Sequence, residues 1–143
     1  MKSVTIVAGV AVVLAAAVGA ALYVSNVEYW RPEAEAVSTV RAEAHRLLSS
    51  LNQDSSVHDA DVQRAEAAAK RQLHNLFFEE TRADGFTVAV WLTSEGHIPN
   101  AKQEPVLCVA YVSTRDRAVR MEDRACPPSA GSSLDKEYVT LDG

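Results

Sequence analysis

A chain of 143 residues with 14 basic and 19 acidic side chains, formally −5, has room for one small hydrophobic core beside a terminal segment. An acidic balance of this kind argues against nucleic acid as a partner, because that ligand calls for a basic face. The six glycines are scattered and cradle no phosphate. No nucleophile elbow, paired histidines or Cys-x-x-Cys spacing marks a reaction, so no catalytic residue, cofactor or metal ligand is nominated.

The chain opens with a long uncharged run. From Ser3 to Val24, 22 residues carry no charge. A helix over that stretch would cover ~33 Å, close to the ~30 Å hydrocarbon core of a bilayer. Apolar on every face, it reads as a single-pass transmembrane anchor rather than a core helix. Tyr23, Tyr29, Trp30 and Arg31 follow, and suit the headgroup level as membrane-interface anchors. This gives an anchor over residues 1–25 and an interfacial segment over 26–31. A cleaved secretory signal is the alternative. Lys2 supplies its charged start and Val18-Gly19-Ala20 a small-residue cleavage site, although the apolar run exceeds the ~7–15 residues a signal needs. Either reading places the N-terminus in the cytoplasm and the remainder outside. The richness in alanine and valine, with arginine outnumbering lysine, fits a GC-rich bacterial genome.

A domain is expected over residues 32–128. Pro32 can occupy a first helical turn, and Glu33 and Glu35 suit the positive end of a helix dipole. Val37, Val40, Ala44, Leu47 and Leu51 then recur at steps of three and four, one stripe of an amphipathic helix. The polar run Asn52 to Ser56 reads as a turn. A second helix is expected from about Ser56–Asp59, with Val62, Ala65, Ala69, Leu73, Leu76 and Phe77 as its stripe and Asp84-Gly85 as its stop.

From Phe86 the period falls to two, the mark of strands. Strands are predicted over Phe86–Thr93, Val106–Ser113 and Ala118–Arg124. Symmetric hairpins would set Phe86, Val88, Val90 and Leu92 opposite Val112, Ala110, Cys108 and Val106, all on one face beneath the helices. The fold class expected is α+β: an N-terminal transmembrane helix, then two amphipathic helices packed on one face of a three- or four-stranded antiparallel sheet. Residues 129–143 read as a flexible tail or a short edge strand around Tyr138–Leu141.

Three features invite function. In the expected register the second sheet face presents Trp91, Leu107, Val109 and Tyr111, an apolar patch that a partner or the C-terminal segment would cover. Cys108 and Cys126 are the only cysteines and suit a disulfide in an exported domain, although that register sets Cys108 opposite Asp123. The Thr93–Gln103 connection, with Glu95-Gly96 and His97-Ile98-Pro99-Asn100, is longer than a hairpin needs. His45, His58, His74 and His97 read as surface or structural residues. Together these point to a membrane-anchored extracytoplasmic interaction protein, a non-catalytic accessory subunit of a cell-envelope or membrane complex. Its partners would be the lipid bilayer and a membrane protein. A small-ligand or lipid-binding envelope module is the alternative.

Overall fold

The computed structural model describes residues 2–94, 103–131 and 135–143, with side chains placed at 16–21 and from 33 onward. Helix α1 spans Lys2–Gln53, a 3-10 turn spans Ser55–His58, and α2 spans Val62–Gln72. Five strands follow: β1 (Leu76–Arg82), β2 (Gly85–Thr93), β3 (Glu104–Thr114), β4 (Arg120–Asp123) and β5 (Lys136–Val139).

The expectation of a transmembrane helix followed by a separate amphipathic helix is corrected here. Among the described residues, no helix is long and apolar enough to cross a membrane. Instead α1 runs unbroken through Pro32, where a new helix was expected to begin. Beyond Pro32 acidic and basic side chains recur along α1 as the helix joins the domain. The side chains of Tyr23, Tyr29, Trp30 and Arg31 lie outside the described residues.

The domain end of α1 follows the predicted stripe closely. Ala36, Val40, Ala44, Leu47 and Leu51 are buried on one face, with Ala36 taking the place expected of Val37, which is half-buried. The turn after α1 is capped by Asp54, whose carboxylate accepts from Ser56 N at 2.8 Å. Asp61 caps α2 in the same way, accepting from Gln63 N and Arg64 N. Ala65, Ala68, Ala69 and Leu73 turn inward, and small side chains let α2 lie close on the sheet.

The second helix stops well before the expected Asp84-Gly85. It ends at Gln72, and Asn75 takes a left-handed conformation (φ 57°) that turns the chain into β1. Leu76 and Phe77 match helical spacing after Leu73, but Phe77, Phe78 and Thr81 are strand formers, and pairing with β2 decides the matter. Ala83-Asp84 joins Arg82 to its partner Gly85 as a two-residue hairpin loop. Gly85 is required there: a Cβ would overlap the carbonyl oxygen of Ser113.

The sheet is mixed and five-stranded, in the order β1-β2-β3-β4, with β5 parallel to β3. This corrects the expected antiparallel three- or four-stranded sheet. Strand β3 is 11 residues long, and its outer edge is shared. Strand β4 pairs with Val109–Val112, and β5 with Glu104–Leu107. The C-terminal region thus includes a real strand, placed by its hydrogen bonds to the first half of β3.

The expected β2–β3 register is also corrected, by one residue. Phe86, Val88, Val90 and Leu92 face Ser113, Tyr111, Val109 and Leu107, and Cys108 pairs with Trp91. A slip of one exchanges the two faces of β3. Both alternate sets in Val106-Leu107-Cys108-Val109-Ala110-Tyr111-Val112 are apolar, so alternation carries no signal there. Packing chooses instead. The bulkier Leu107, Val109 and Tyr111 fill the space beneath the helices with Phe86, Val88 and Val90. The smaller Cys108 and Ala110 face the other way, with Val106 and Val112.

Candidate functional site

Both helices lie on one side of the sheet, so the opposite face holds the most distinctive surface. A bulge between Leu76 and Phe78 breaks the alternation of β1. Leu76 consequently packs toward the helices, while Phe77 and Phe78 both lie on the far face. Phe78 covers the small pair Ala89 and Ala110, which are 0% exposed. Phe77 extends toward Trp91, Val106, Cys108, Cys126 and Ala130. Tyr138 pairs with Val106 across β5–β3 and is 51% exposed. Among the described residues no helix lies over this face, and the loop that carries Cys126 and Ala130 covers part of it, at Val106 and Cys108. Phe77, Phe78 and Trp91 are each half-buried.

Polar groups frame the aromatics. The Arg124 guanidinium lies over the Phe78 ring, 3.7 Å from its centroid. Arg82 donates to Glu80 (3.0 Å) and to the Thr87 hydroxyl (2.8 Å). Lys136 donates to the carbonyls of Pro128 (3.1 Å) and Ala130 (2.6 Å), holding the return loop against the sheet. Cys108 and Cys126 stand at disulfide distance (S–S 2.07 Å, Cα–Cα 5.3 Å) where β4 leaves the edge of β3 and β5 takes it over. Arg124 N bonds Cys108 O at 2.9 Å, so the chain reaches Cys126 two residues beyond the last bond to β3. The expected opposition of Cys108 and Asp123 is corrected accordingly, since Asp123 pairs with Val109.

Of the four residues expected on an exposed second face, only Trp91 is there. Leu107, Val109 and Tyr111 are 0% exposed in the core beneath α1. The Tyr111 hydroxyl donates to the Ala44 carbonyl of α1 at 3.0 Å, tying helix to sheet. Its pKa is raised beyond its ordinary range, chiefly by burial and secondarily by the Glu43 carboxylate. Phe77, Phe78 and Arg124 were not expected on this face from sequence, whereas Arg120 was expected beside Trp91 and Tyr138 in the segment that would cross it. The adjacent phenylalanines, followed by Thr81 and Asp84-Gly85, could have signalled a strand and hairpin; Arg124 is placed only by the assembled sheet.

Comparison with protein-family models, curated proteins and solved structures finds no match for the chain in any of the three. The reading of the site stands on its own geometry.

Two open clefts are the other candidates. One, of about 510 Å³, lies among the turn after α1 and the β1–β2 and β3–β4 turns. His58, Asp59, Asp84, Arg115, Asp116 and Arg117 line it, all exposed to solvent. The other, of about 760 Å³, runs beside α1 over Ala42, Leu47 and Leu92, with Glu43, Arg46 and His74 in its lining. Glu43 and Arg46 form a two-bond ion pair at 2.6 and 2.7 Å. Hydrogen bonding to Arg46 lowers the Glu43 pKa, and Glu43 raises that of Arg46. His45 and His74 are exposed, and His97 lies outside the described residues with the rest of 95–102. Among the described residues, no three His, Cys, Asp or Glu side chains converge to hold a metal ion.

Proposed function

We propose that this chain is a non-catalytic protein-interaction domain of an extracytoplasmic compartment, an accessory component of a larger envelope assembly that engages a protein partner through the sheet face opposite its helices. The observation that carries this reading is the composition of that face. Phe77, Phe78, Trp91 and Tyr138 share it with Arg124, and among the described residues no helix covers them. Aromatic and arginine side chains are the types that dominate binding energy at protein interfaces, and a half-buried cluster is already held in place before a partner arrives. The cysteine pair at disulfide distance supports an oxidising location. The small-ligand or lipid reading has its best foothold in the cleft of about 760 Å³, but the apolar part of that lining is limited to Ala42, Leu47 and Leu92.

The test is site-directed photocrosslinking in the native envelope. A crosslinking residue replaces Glu122, which is exposed on the proposed face, and a control replaces Ala67 on the outer side of α2. A discrete adduct at position 122, absent at 67 and lost on Trp91→Ala or Tyr138→Asp with circular dichroism unchanged, is expected. Equal adducts at both positions, or an adduct indifferent to both substitutions in a folded chain, would remove the reading.

A further inference from the structure

Resting on that reading, we infer that the partner segment is acidic, with an apolar side chain flanked by carboxylates. Strand β4 sets the geometry. Arg120 pairs with Val112, Glu122 with Ala110, and Arg124 follows opposite Cys108, so all three lie on the aromatic face. Among the described residues, Arg82 and Lys136 add to the cations of this surface, against Glu80, Glu104 and Glu122. In a chain of net charge −5, four cations therefore stand with the aromatic cluster against three acids.

These cations differ in how far they are already committed. Arg82 is held by Glu80 and Thr87, and Lys136 by two backbone carbonyls. Arg120 and Arg124 form no ion pair with any carboxylate among the described residues. Arg124 rests on Phe78, and Arg120 is exposed. Covering the aromatics with another protein would remove water from these guanidinium groups. Desolvating a charge without a counter-charge is strongly unfavourable. A purely apolar partner would leave both guanidiniums unmet, and a basic one would be repelled. Carboxylates satisfy them with two-bonded geometry.

Arg124 carries its charge onto the aromatic cluster over Phe78, while Arg120 stays at the β4 edge beyond Glu122, so carboxylates on either side of an apolar residue would meet one guanidinium each.

Three peptides test this against the full-length, isotope-labelled chain by NMR: Glu-Ser-Phe-Ser-Glu, Lys-Ser-Phe-Ser-Lys and Glu-Ser-Ser-Ser-Glu. The first is expected to shift the side-chain signals of Arg120, Arg124 and Trp91 saturably, and to weaken as salt is raised. The second and third should each bind at least roughly tenfold more weakly. Arg120→Glu, at an exposed position without an ion pair, should keep the native spectrum and lose at least about fivefold in affinity for the first peptide. Arg124→Gln gives a second check on charge, read against the unchanged signals of the helix side. Equal binding of the lysine peptide, indifference to Arg120→Glu, or no shift at these residues would overturn the inference. Crosslinking at position 122 does not depend on the sign of the partner's charge, so it separates failure of this inference from failure of the interaction reading.

Discussion

Tyr111 offers the sharpest test of how the sheet meets its helices. Its side chain is fully buried under α1, and its hydroxyl donates to the Ala44 carbonyl at 3.0 Å. Tyr111→Phe removes that bond and nothing else. The carbonyl still accepts its own helical N–H, so no group is orphaned, and the cost should be about 0.5–1.5 kcal/mol. Tyr111→Ala also removes the ring from a packed core, for a total of about 3–5 kcal/mol. Urea unfolding followed by circular dichroism measures both. The hydroxyl adds a pH signature. Burial raises its pKa in the folded state, so the neutral form is favoured. Its stabilising effect is complete below the unfolded value of about 10 and is lost as pH rises through the folded value. Tyr111→Phe should therefore flatten the decline of stability in alkali. An unchanged midpoint for Tyr111→Phe, together with a loss under about 1 kcal/mol for Tyr111→Ala, would mean that Tyr111 does not face α1 and that the register described here is wrong by one residue.

Two further substitutions probe the connections. Replacing Cys108 and Cys126 together by alanine opens a loop of sequence separation 18 and should cost about 3 kcal/mol in the urea midpoint, with hydrogen-exchange protection lost first in β4 and β5; a loss under about 1 kcal/mol would show that the pair does not hold this edge. Bonding to Ser56 N–H, foremost, lowers the Asp54 pKa. A lowered carboxylate pKa gives stability that is present above the unfolded value of about 4 and is lost as pH falls through the folded value, so Asp54→Ala should flatten the acid limb of a melting-temperature profile; a parallel limb would count against the cap.

Legibility in the sequence varied with how one-sided each segment's pattern is. The stripe of α1 was readable because its larger apolar side chains fall on one side at steps of three and four, and Val40, Ala44, Leu47 and Leu51 are buried as expected. The inner face of β2 was readable for the same reason. The segment Leu76–Arg82 was not, since Leu76 and Phe77 continue a helical spacing and local pattern cannot weigh that against pairing with β2. In β3 nearly every position is apolar, so the choice of face is invisible locally. That single ambiguity moved Leu107, Val109 and Tyr111 from an imagined surface into the core, and left Trp91 as the only nominated interface residue on the outer face. The long uncharged run at the start was read as a membrane span, an expectation that the described helix does not meet.

By itself the sequence determined the α+β class, the inward stripes of the helices, the alternation of β2 and the candidate pairing of two cysteines. These rest on neighbours along the chain, where 3.6- and 2-residue periods act directly on side-chain direction. Only the tertiary structure decided the one-residue register, the hairpin at Ala83-Asp84, the parallel seat of β5 and the gathering of Phe77, Phe78, Trp91, Tyr138, Arg120 and Arg124 on one face. Each of those depends on volume and hydrogen bonding between segments distant in sequence, which no local pattern encodes.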